Sequence, residues 1–371
     1  MTITHAATPA AATASAAHAT TVDLPLDAPE HERVLVTRGR RSKLTIIVAV
    51  HSTALGQALG GARLWRYDHW TDALADALRL SQAMTLKNAA AGLARGGGKS
   101  VICIPPGVEL DDRRRRDAML DLGDAVESLG GAYMTAEDVG TSAELMAVVA
   151  ERTAHVCGLP PEQGGVGEPA DATAAGVHAS ILATLDHVFG SREVRGRHLV
   201  IAGLGQVGGR LARRLAAEGA RLTVTDVAED TRALADELGA AWVEPDEAHR
   251  VEADVFVPCG LGGVLTPQVV EELRVRAVAG AANNQLATRE VARLLRERGI
   301  TWAPDFVANA GGVVYLDLAA SPDVTPAELD ARLEGIGETI ADVYRDADAA
   351  GTTTLEAAER LAAARLEAAR V

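Results

Sequence analysis

Aromatic residues, long apolar runs and basic residues are all scarce in this sequence. Phe, Trp and Tyr make up 3% of its 371 residues. The longest apolar run, Leu44 to Val50 (LTIIVAV), is far shorter than the roughly 20 residues that cross a bilayer as a helix. The sequence contains 36 Lys and Arg residues and 51 Asp and Glu residues, so the net charge is −15. The composition excludes a membrane-spanning protein and disfavours binding to nucleic acids or anionic membrane surfaces.

Cysteine is equally rare, with Cys103, Cys157 and Cys259 far apart in the chain. Their spacing matches neither a disulfide framework nor a metal site, so we predict no bound metal. Free cysteines favour a reducing, cytoplasmic setting. What remains is a large soluble protein whose length predicts two domains.

The composition of the first part of the chain changes near residue 31, from small residues to apolar segments. Residues 1–30 contain a run of small residues (AATPAAATASAAHAT) and are predicted to form a disordered tail. After it we predict strands at 34–37 and 44–51, a glycine-rich segment at 55–63 and a helix at 71–86. These are followed by a loop at 89–99, a buried strand at 100–104 and helices at 113–129 and 142–151. Arg113 to Arg116 open one helix and are interpreted as a solvated face, with a phosphate or partner site as the alternative.

A Gly/Pro-rich linker at 158–170 separates this part from a region where strands and helices alternate. Strands are predicted near 198–203, 221–226, 253–257 and 276–280, and the chain becomes helical from Pro326 onward. Such alternation is typical of a parallel, doubly wound α/β sheet.

The first of these strands leads into a glycine motif. His198 to Gly208 (HLVIAGLGQVG) places Gly203, Gly205 and Gly208 as G-x-G-x-x-G, with Gln206 and Val207 between the last two glycines. In a dinucleotide site these glycines give a tight turn, close approach of a pyrophosphate and close helix–strand packing. Asp226 follows the next strand, where a carboxylate accepts hydrogen bonds from ribose hydroxyls and repels a 2′-phosphate. The order of these features predicts NAD binding, with glycine packing alone as the alternative.

Three charged residues in the first part stand in apolar or glycine-rich surroundings. Lys87 ends an apolar helix, Lys99 follows three glycines and precedes a buried strand, and Asp138 follows an apolar stretch. A partly desolvated lysine has a lowered pKa, which suits a general base. The alternative from the residues alone is that both lysines extend from element ends into solvent.

Five segments, from about residue 32 to the C-terminus, resemble the glutamate/leucine/phenylalanine/valine dehydrogenase family. They are HSTALGQALGGARLW, AMTLKNAAAGLARGGGKSVI, YMTAEDVG, AGAANNQL and APDFVANAGGV. The likeness is greatest to the valine, leucine and phenylalanine members. It implies NAD-dependent reversible oxidative deamination of an L-amino acid to a 2-oxo acid and ammonia. It also implies a homo-oligomer, although family members range from dimers to octamers.

The resemblance assigns a role to each motif residue. Lys87 corresponds to the lysine that pairs with the substrate carboxylate, Lys99 to the general base that activates water, and Asp138 to the proton shuttle. Gly60 and Gly61 would let backbone close around the substrate. Thr173, Asn283 and Asn309 correspond to positions near the nicotinamide and its ribose.

The positions that match the family's side-chain pocket are apolar here. They are Leu59, Met84, Ala136, Val313 and Leu316. Glutamate-specific members carry lysine at Leu59 and serine at Leu316, so the resemblance disfavours glutamate. Ala136 and Val313 favour a compact, branched-chain side chain over phenylalanine, the first alternative. The second alternative is a catalytically inactive NAD-binding regulatory protein, against which the presence of Lys87, Lys99 and Asp138 argues.

Two segments depart from the family pattern. The stretch before Thr173 (GEPADATAAGV) lacks the usual serine-rich loop, and Val314 to Leu318 (VYLDL) replaces a more polar sequence. The second departure is expected to reshape either the pocket or a subunit contact.

The fold prediction is therefore α/β with two domains. Residues 31–157 are predicted to form an α/β substrate-binding and catalytic domain with a mixed sheet. Residues 158–335 are predicted to form a Rossmann-type, doubly wound NAD domain, and residues 336–371 are predicted to be helices that return to the first domain.

Overall fold

The computed structural model of the protein describes residues 31–318 and 324–369, so the predicted tail at 1–30 lies outside the described residues. Within these ranges, the first half of the chain forms a mixed five-stranded sheet with the strand order β1-β2-β4-β3-β5. Its strands are β1 (Arg33–Arg38), β2 (Thr45–Ser52), β3 (Ala58–Arg66), β4 (Gly96–Ile104) and β5 (Tyr133–Glu137). β1, β2 and β4 pair antiparallel, whereas β3 is parallel to both β4 and β5. The predicted mixed sheet is confirmed.

Helices cover both faces of this sheet. They are α1 (Trp70–Ala90), α2 (Asp112–Glu127) and α3 (Ala143–Ala150). α1 packs on one face through Ala73, Leu74 and Ala77, and the other two helices pack on the opposite face. At the start of α2 the Asp111 side chain accepts a hydrogen bond from the Arg114 backbone, which satisfies a free N–H of the first turn.

The glycine-rich segments are strands rather than loops. The prediction of a loop at 89–99 is wrong for the last residues of that range, because β4 begins at Gly96 and already contains Lys99. Likewise, the glycine-rich segment at 55–63 forms most of β3. Glycine weakens a strand signal, but here it permits close packing, since a Cβ at Gly97 would lie 2.1 Å from the Thr85 nitrogen of α1.

The arginines that open α2 lie at the protein surface. Arg114 donates from Nε to the Ser42 carbonyl at 3.0 Å, and Arg116 forms an exposed ion pair with Glu151 at 2.7 Å. These contacts agree with the interpretation of Arg113 to Arg116 as a solvated face.

The second half of the described chain forms a six-stranded sheet in which every pairing is parallel. Its strands are β6 (His198–Ala202), β7 (Arg221–Thr225), β8 (Ala241–Trp242), β9 (Val255–Pro258), β10 (Ala277–Val278) and β11 (Thr301–Trp302), in the order β11-β10-β9-β6-β7-β8. The predicted doubly wound parallel sheet is confirmed. The two-residue strands β8 and β11 were not predicted, whereas β10, equally short, lies within the apolar stretch predicted as a strand at 276–280.

Nine α-helices accompany this sheet among the described residues. They are α4 (Ala170–Phe189), α5 (Gln206–Ala217), α6 (Arg232–Leu238), α7 (Pro267–Glu272), α8 (Glu290–Glu297), α9 (Asp305–Ala308), α10 (Gly311–Leu318), α11 (Pro326–Ala350) and α12 (Thr354–Ala368). No helix in the described ranges has both the length and the apolar character that a membrane crossing requires.

The C-terminal helices contact both halves of the molecule. α11 contributes Ile340, Val343 and Tyr344 to the core beside β6, while Arg365 of α12 donates to the Ala89 carbonyl of α1 at 2.9 Å. α11 is continuous across residue 335, so the predicted boundary at this point falls inside a helix.

Candidate active site

A cleft of about 330 Å³ brings together residues from both halves of the chain. Its lining includes the predicted catalytic residues Lys99 and Asp138, and the predicted substrate residues Lys87, Leu59, Gly60, Gly61, Met84, Ala136, Val313 and Leu316. Four of the predicted cofactor residues also line it, namely Thr173, Val207, Asn283 and Asn309. These positions span more than 250 residues of sequence, and the fold gathers them in one place.

Lys99 and Asp138 form an ion pair inside the cleft. Lys99 Nζ lies 2.8 Å from Asp138 Oδ2, and the lysine is 5% exposed. Lys99 lies on β4 and Asp138 directly follows β5, and these two strands are separated by β3. The two side chains meet because Gly61 of β3 has none of its own. A Cβ at Gly61 would lie 2.7 Å from Asp138 Cβ and 3.3 Å from Lys99 Nζ.

The surroundings shift the pKa values of both partners. Burial lowers the pKa of the Lys99 amine below its ordinary value, and the Arg63 charge acts in the same direction, while Asp138 opposes the shift. Burial alone would raise the pKa of Asp138, but the charges of Lys99 and Arg63 outweigh it and the pKa is lowered. Asp138 is therefore held as a carboxylate beside an amine that loses its proton more readily than an exposed lysine.

Lys87 approaches the same cleft from the last turn of α1. Its Nζ donates to Asn283 Oδ1 at 3.0 Å, and that oxygen also accepts from Asn309 Nδ2 at 3.0 Å. The pKa of Lys87 is lowered to about 8: burial is the largest cause and the Lys99 charge acts in the same direction, while Asp305 and Asp138 partly oppose both. The amine thus links α1 to Asn283 in the loop after β10, and Asn283 is linked in turn to Asn309 at the end of α9.

Asp305 is a buried carboxylate that sequence reasoning missed. It accepts hydrogen bonds from the backbone nitrogens of Gln285 and Phe306, both at 2.7 Å. Burial raises its pKa, and these hydrogen bonds and the Lys87 charge limit the rise. It lies within the motif APDFVANAGGV, so an acidic residue in an otherwise apolar motif was an available signal.

Arg63 is a second residue without a predicted role. Its Nε donates to Asp138 Oδ2 at 3.1 Å and its Nη1 donates to Asp76 Oδ2 at 2.8 Å. Asp76 also accepts from Tyr67 OH at 2.7 Å; burial alone would raise the pKa of Asp76, but its contacts with Tyr67, Arg79 and Arg63 outweigh burial and lower it. Arg63 lies two residues after Gly61 on β3, where the period of two places both on one face of the sheet. That spacing was the available sequence signal.

One side of the cleft is apolar. Leu59, Ala136 and Leu316 are at most 8% exposed, and Met84 and Val313 are partly buried. Leu80 and Ala83 of α1 extend the same surface. This side can receive an apolar side chain and contains no cation for a second carboxylate among these residues.

The remaining predicted cofactor residues lie beyond the cleft lining, on the turn after β6, in the first turn of α5 and directly after β7. Gly203 has φ +110°, which favours glycine, and a Cβ at Gly208 would lie 2.0 Å from the Gly203 carbonyl oxygen. Apart from Gly205 and its chain neighbours, no heavy atom of the described residues lies within 4 Å of the position of a Cβ on Gly205, so this backbone is open to a ligand.

The carboxylate that follows β7 supports the same turn. Asp226 accepts from the Leu204 nitrogen at 2.6 Å and from the Ala228 nitrogen at 2.8 Å. A carboxylate has about four acceptor positions, so it can still receive ribose hydroxyls. With the backbone N–H groups at the start of α5, these residues fit the pyrophosphate and ribose of a dinucleotide. Gln206 is the first residue of that helix, and the next residue, Val207, lines the cleft.

Comparison with known proteins identifies the family. Residues 31–155 match the family model described as Glu/Leu/Phe/Val dehydrogenase, dimerisation domain, and residues 223–371 match Glutamate/Leucine/Phenylalanine/Valine dehydrogenase. Residues 173–260 also match the NAD-binding domain of D-isomer specific 2-hydroxyacid dehydrogenases.

Individual relatives give the same result. The chain is 39% identical to leucine dehydrogenase of Geobacillus stearothermophilus, over 91% of each chain. It is 40% identical to valine dehydrogenase of Streptomyces albus, over 92% of this chain and 93% of that one.

A solved structure extends the similarity to the fold. The crystal structure of L-tryptophan dehydrogenase from Nostoc punctiforme superposes with a TM-score of 0.78 and 32% identity, covering 92% of this chain and 97% of the other. The protein therefore belongs to the glutamate/leucine/phenylalanine/valine dehydrogenase family and is an NAD-dependent amino acid dehydrogenase.

Proposed function

We propose that the protein catalyses the reversible oxidative deamination of a branched-chain aliphatic L-amino acid, of the valine and leucine type. The observation that carries this proposal is the Lys99–Asp138 ion pair at 2.8 Å in a cleft whose other wall is apolar and compact. In the forward direction the amino acid, NAD and water give the 2-oxo acid, ammonium, NADH and a proton.

Lys87 is proposed to bind the substrate carboxylate. Its amine lines the cleft, and its present partner there is the neutral amide oxygen of Asn283. A carboxylate is a stronger acceptor for an ammonium than an amide oxygen is, because the hydrogen bond is then charge-assisted on both sides. Binding in this position would direct the substrate side chain toward Leu59, Met84 and Leu316.

Lys99 is proposed to act as the general base that activates water. NAD, when bound, supplies the acceptor for the hydride from the substrate α-carbon. Water must then attack the carbon that bears nitrogen, and Lys99 takes a proton from that water. Burial lowers the pKa of the Lys99 amine, so it gives up its proton more readily than an exposed lysine, which this role requires.

Asp138 is proposed to carry protons between Lys99 and the leaving nitrogen. Its Oδ2 touches both Lys99 and Arg63, so it stays ionised until a proton arrives from a neighbour. Its N–H donates to Thr141 Oγ1 at 2.8 Å, which fixes the turn after β5. Ammonia leaves as ammonium after it receives this proton.

The size of the side-chain pocket supports an aliphatic substrate. Ala136 on β5 and Val313 on α10 narrow the space that a phenyl ring would need, and Leu59 and Leu316 provide no partner for the second carboxylate of glutamate. An apolar pocket discriminates one methylene by about 1–3 kcal/mol, so several aliphatic amino acids should be accepted.

The experiment that tests this function measures all three products. The purified full-length chain is incubated with NAD and, separately, L-valine, L-leucine, L-isoleucine, L-phenylalanine and L-glutamate, while NADH, ammonia and 2-oxo acid are quantified. We expect equal amounts of the three products with the aliphatic substrates. Absence of turnover with every amino acid would contradict the proposed reaction.

We further propose the division into a substrate domain at 31–157, an NAD domain at 158–335 and returning helices at 336–371. The separate sheets before and after the linker support this division. A cytoplasmic homo-oligomer is proposed as well, supported by three free cysteines and by the dimerisation-domain model that matches the first half.

A further inference from the structure

Helix α10 forms part of the pocket wall. It carries Val313 and Leu316 on the cleft wall, and its last turn contains Asp317. Gly312 at its start packs on Thr173 of α4, so this end of the helix is attached to the second half of the chain. The position of Leu316 therefore depends on what holds the other end.

That other end is held by an ion pair with the first half of the chain. Arg95 Nε lies 2.6 Å from Asp317 Oδ1, and the two side chains are 25% and 12% exposed. Arg95 directly precedes β4, the strand of Lys99, and its Nη1 donates to Gln57 Oε1 at 2.9 Å. Gln57 in turn directly precedes β3, the strand that begins with Ala58 and Leu59.

The ion pair thus connects three parts of the pocket. It joins the start of the Lys99 strand, the start of the Leu59 strand and the helix turn that contains Leu316. Leu316 itself packs beside Gly158, where a Cβ would lie 3.6 Å from Leu316 Cδ2. Tyr315 donates to the Val166 carbonyl, which adds a neutral contact to the linker.

We propose that Arg95 and Asp317 are positioning residues that set substrate selectivity by fixing Leu316 against the Leu59 strand. This inference rests on the proposed function, because it concerns the side-chain pocket of that same site. Neither residue lines the cleft, so each acts through α10 rather than on the substrate. Loss of the ion pair frees the last turn of α10 and leaves the pocket wall less defined.

The test compares Arg95→Met, Asp317→Asn and the charge swap Arg95→Asp with Asp317→Arg. Two quantities are measured: the hydrogen-exchange rate of backbone amides in residues 311–318, and the ratio of kcat/KM for L-leucine to that for L-phenylalanine. The matched controls are Arg116→Met and Glu151→Gln, which break an exposed ion pair of similar length between α2 and the end of α3.

We expect each single variant to speed exchange in α10 and to reduce the substrate ratio by about 10-fold, within the range that apolar pockets provide. The charge swap should recover most of both effects, and the controls should change neither. The proposal is overturned if the single variants behave like the controls, or if the swap recovers nothing. Failure to oxidise branched-chain substrates would refute the proposed function, whereas the exchange rates test the Arg95–Asp317 role separately.

Discussion

Lys99 Nζ and Asp138 Oδ2 lie 2.8 Å apart across a strand that belongs to neither residue. The intervening position is Gly61, and any side chain there would occupy the space in which the two charges meet. The ion pair therefore depends on the absence of a side chain at this position. It also depends on Arg63, which contacts the same carboxylate oxygen from the same strand.

Lysine is rare in this protein, so its presence in the cleft is informative. The chain contains three lysines among 36 basic residues, and two of them line the cleft. Arginine stays protonated in proteins and cannot serve as a general base, whereas a buried lysine can lose its proton. The third lysine, Lys43, is exposed on the turn between β1 and β2 and offers a control.

Replacing Lys99 should therefore abolish most of the chemistry. We expect Lys99→Ala to lower kcat by about 10²–10⁴-fold, the usual contribution of a positioned base. Lys43→Ala should leave kcat unchanged. The measurement is steady-state kcat at saturating amino acid and NAD. A Lys99→Ala variant that keeps more than half of the original kcat would refute the assignment.

Replacing Lys87 should weaken binding rather than chemistry. Loss of a charge-assisted contact costs about 1.5–3 kcal/mol, so Lys87→Ala should raise KM for the amino acid by about 10–100-fold. Because the pKa of Lys87 is about 8 and only its protonated form binds a carboxylate, KM of the original protein should rise as pH increases through this value. Lys87→Arg keeps the charge at all these pH values. If Lys87→Arg shows the same rise of KM with pH, another group is responsible.

Removing the Arg63 charge should move the pH profile of the reaction. Arg63 lowers the pKa of Lys99, and the neutral amine that acts as base accumulates as pH rises through that pKa. Arg63→Gln therefore raises the Lys99 pKa and shifts the acidic limb of the kcat profile to higher pH. Arg66→Gln on the same strand removes an exposed ion pair with Glu109 and serves as the control. A limb that moves equally in both variants, or moves to lower pH in Arg63→Gln, contradicts the role of this charge.

Enlarging the side-chain pocket should favour aromatic substrates. Ala136→Gly and Val313→Ala each remove carbon atoms from the cleft wall, so the kcat/KM ratio of L-phenylalanine to L-valine should rise by about 10-fold or more. Val314→Ala is a matched control, because Val314 is 1% exposed in the adjacent core and does not line the cleft. If the ratio rises equally in Val314→Ala, the cause is less stable packing of α10 and not the size of the pocket.

The sequence predicted which residues line the cleft better than it predicted their local structure. Strands with continuous apolar runs, such as β2 and β6, were evident, and the G-x-G-x-x-G motif marked the turn after β6. β3 and β4 were less evident because glycines conceal their periodicity, although those same glycines admit α1 and the Lys99–Asp138 pair. Local propensity does not record packing between segments that are distant in sequence.

The contact partners of the supporting charges could not be predicted for a related reason. Arg63 contacts a residue 75 positions away, and Arg95 contacts one 222 positions away. Neither spacing has a local signature, since the partners meet only through strand order and domain arrangement. Asp305 likewise has a raised pKa because it is buried, and its neighbour Lys87 limits the rise. Composition and periodicity show neither the burial nor the neighbour.

The most direct test of the account is a comparison of kcat/KM for L-valine, L-leucine, L-isoleucine and L-phenylalanine with NAD in the unmodified protein. The compact apolar wall predicts that the best aliphatic substrate exceeds L-phenylalanine by about 10-fold or more. An equal or higher kcat/KM for L-phenylalanine would contradict the proposed branched-chain specificity.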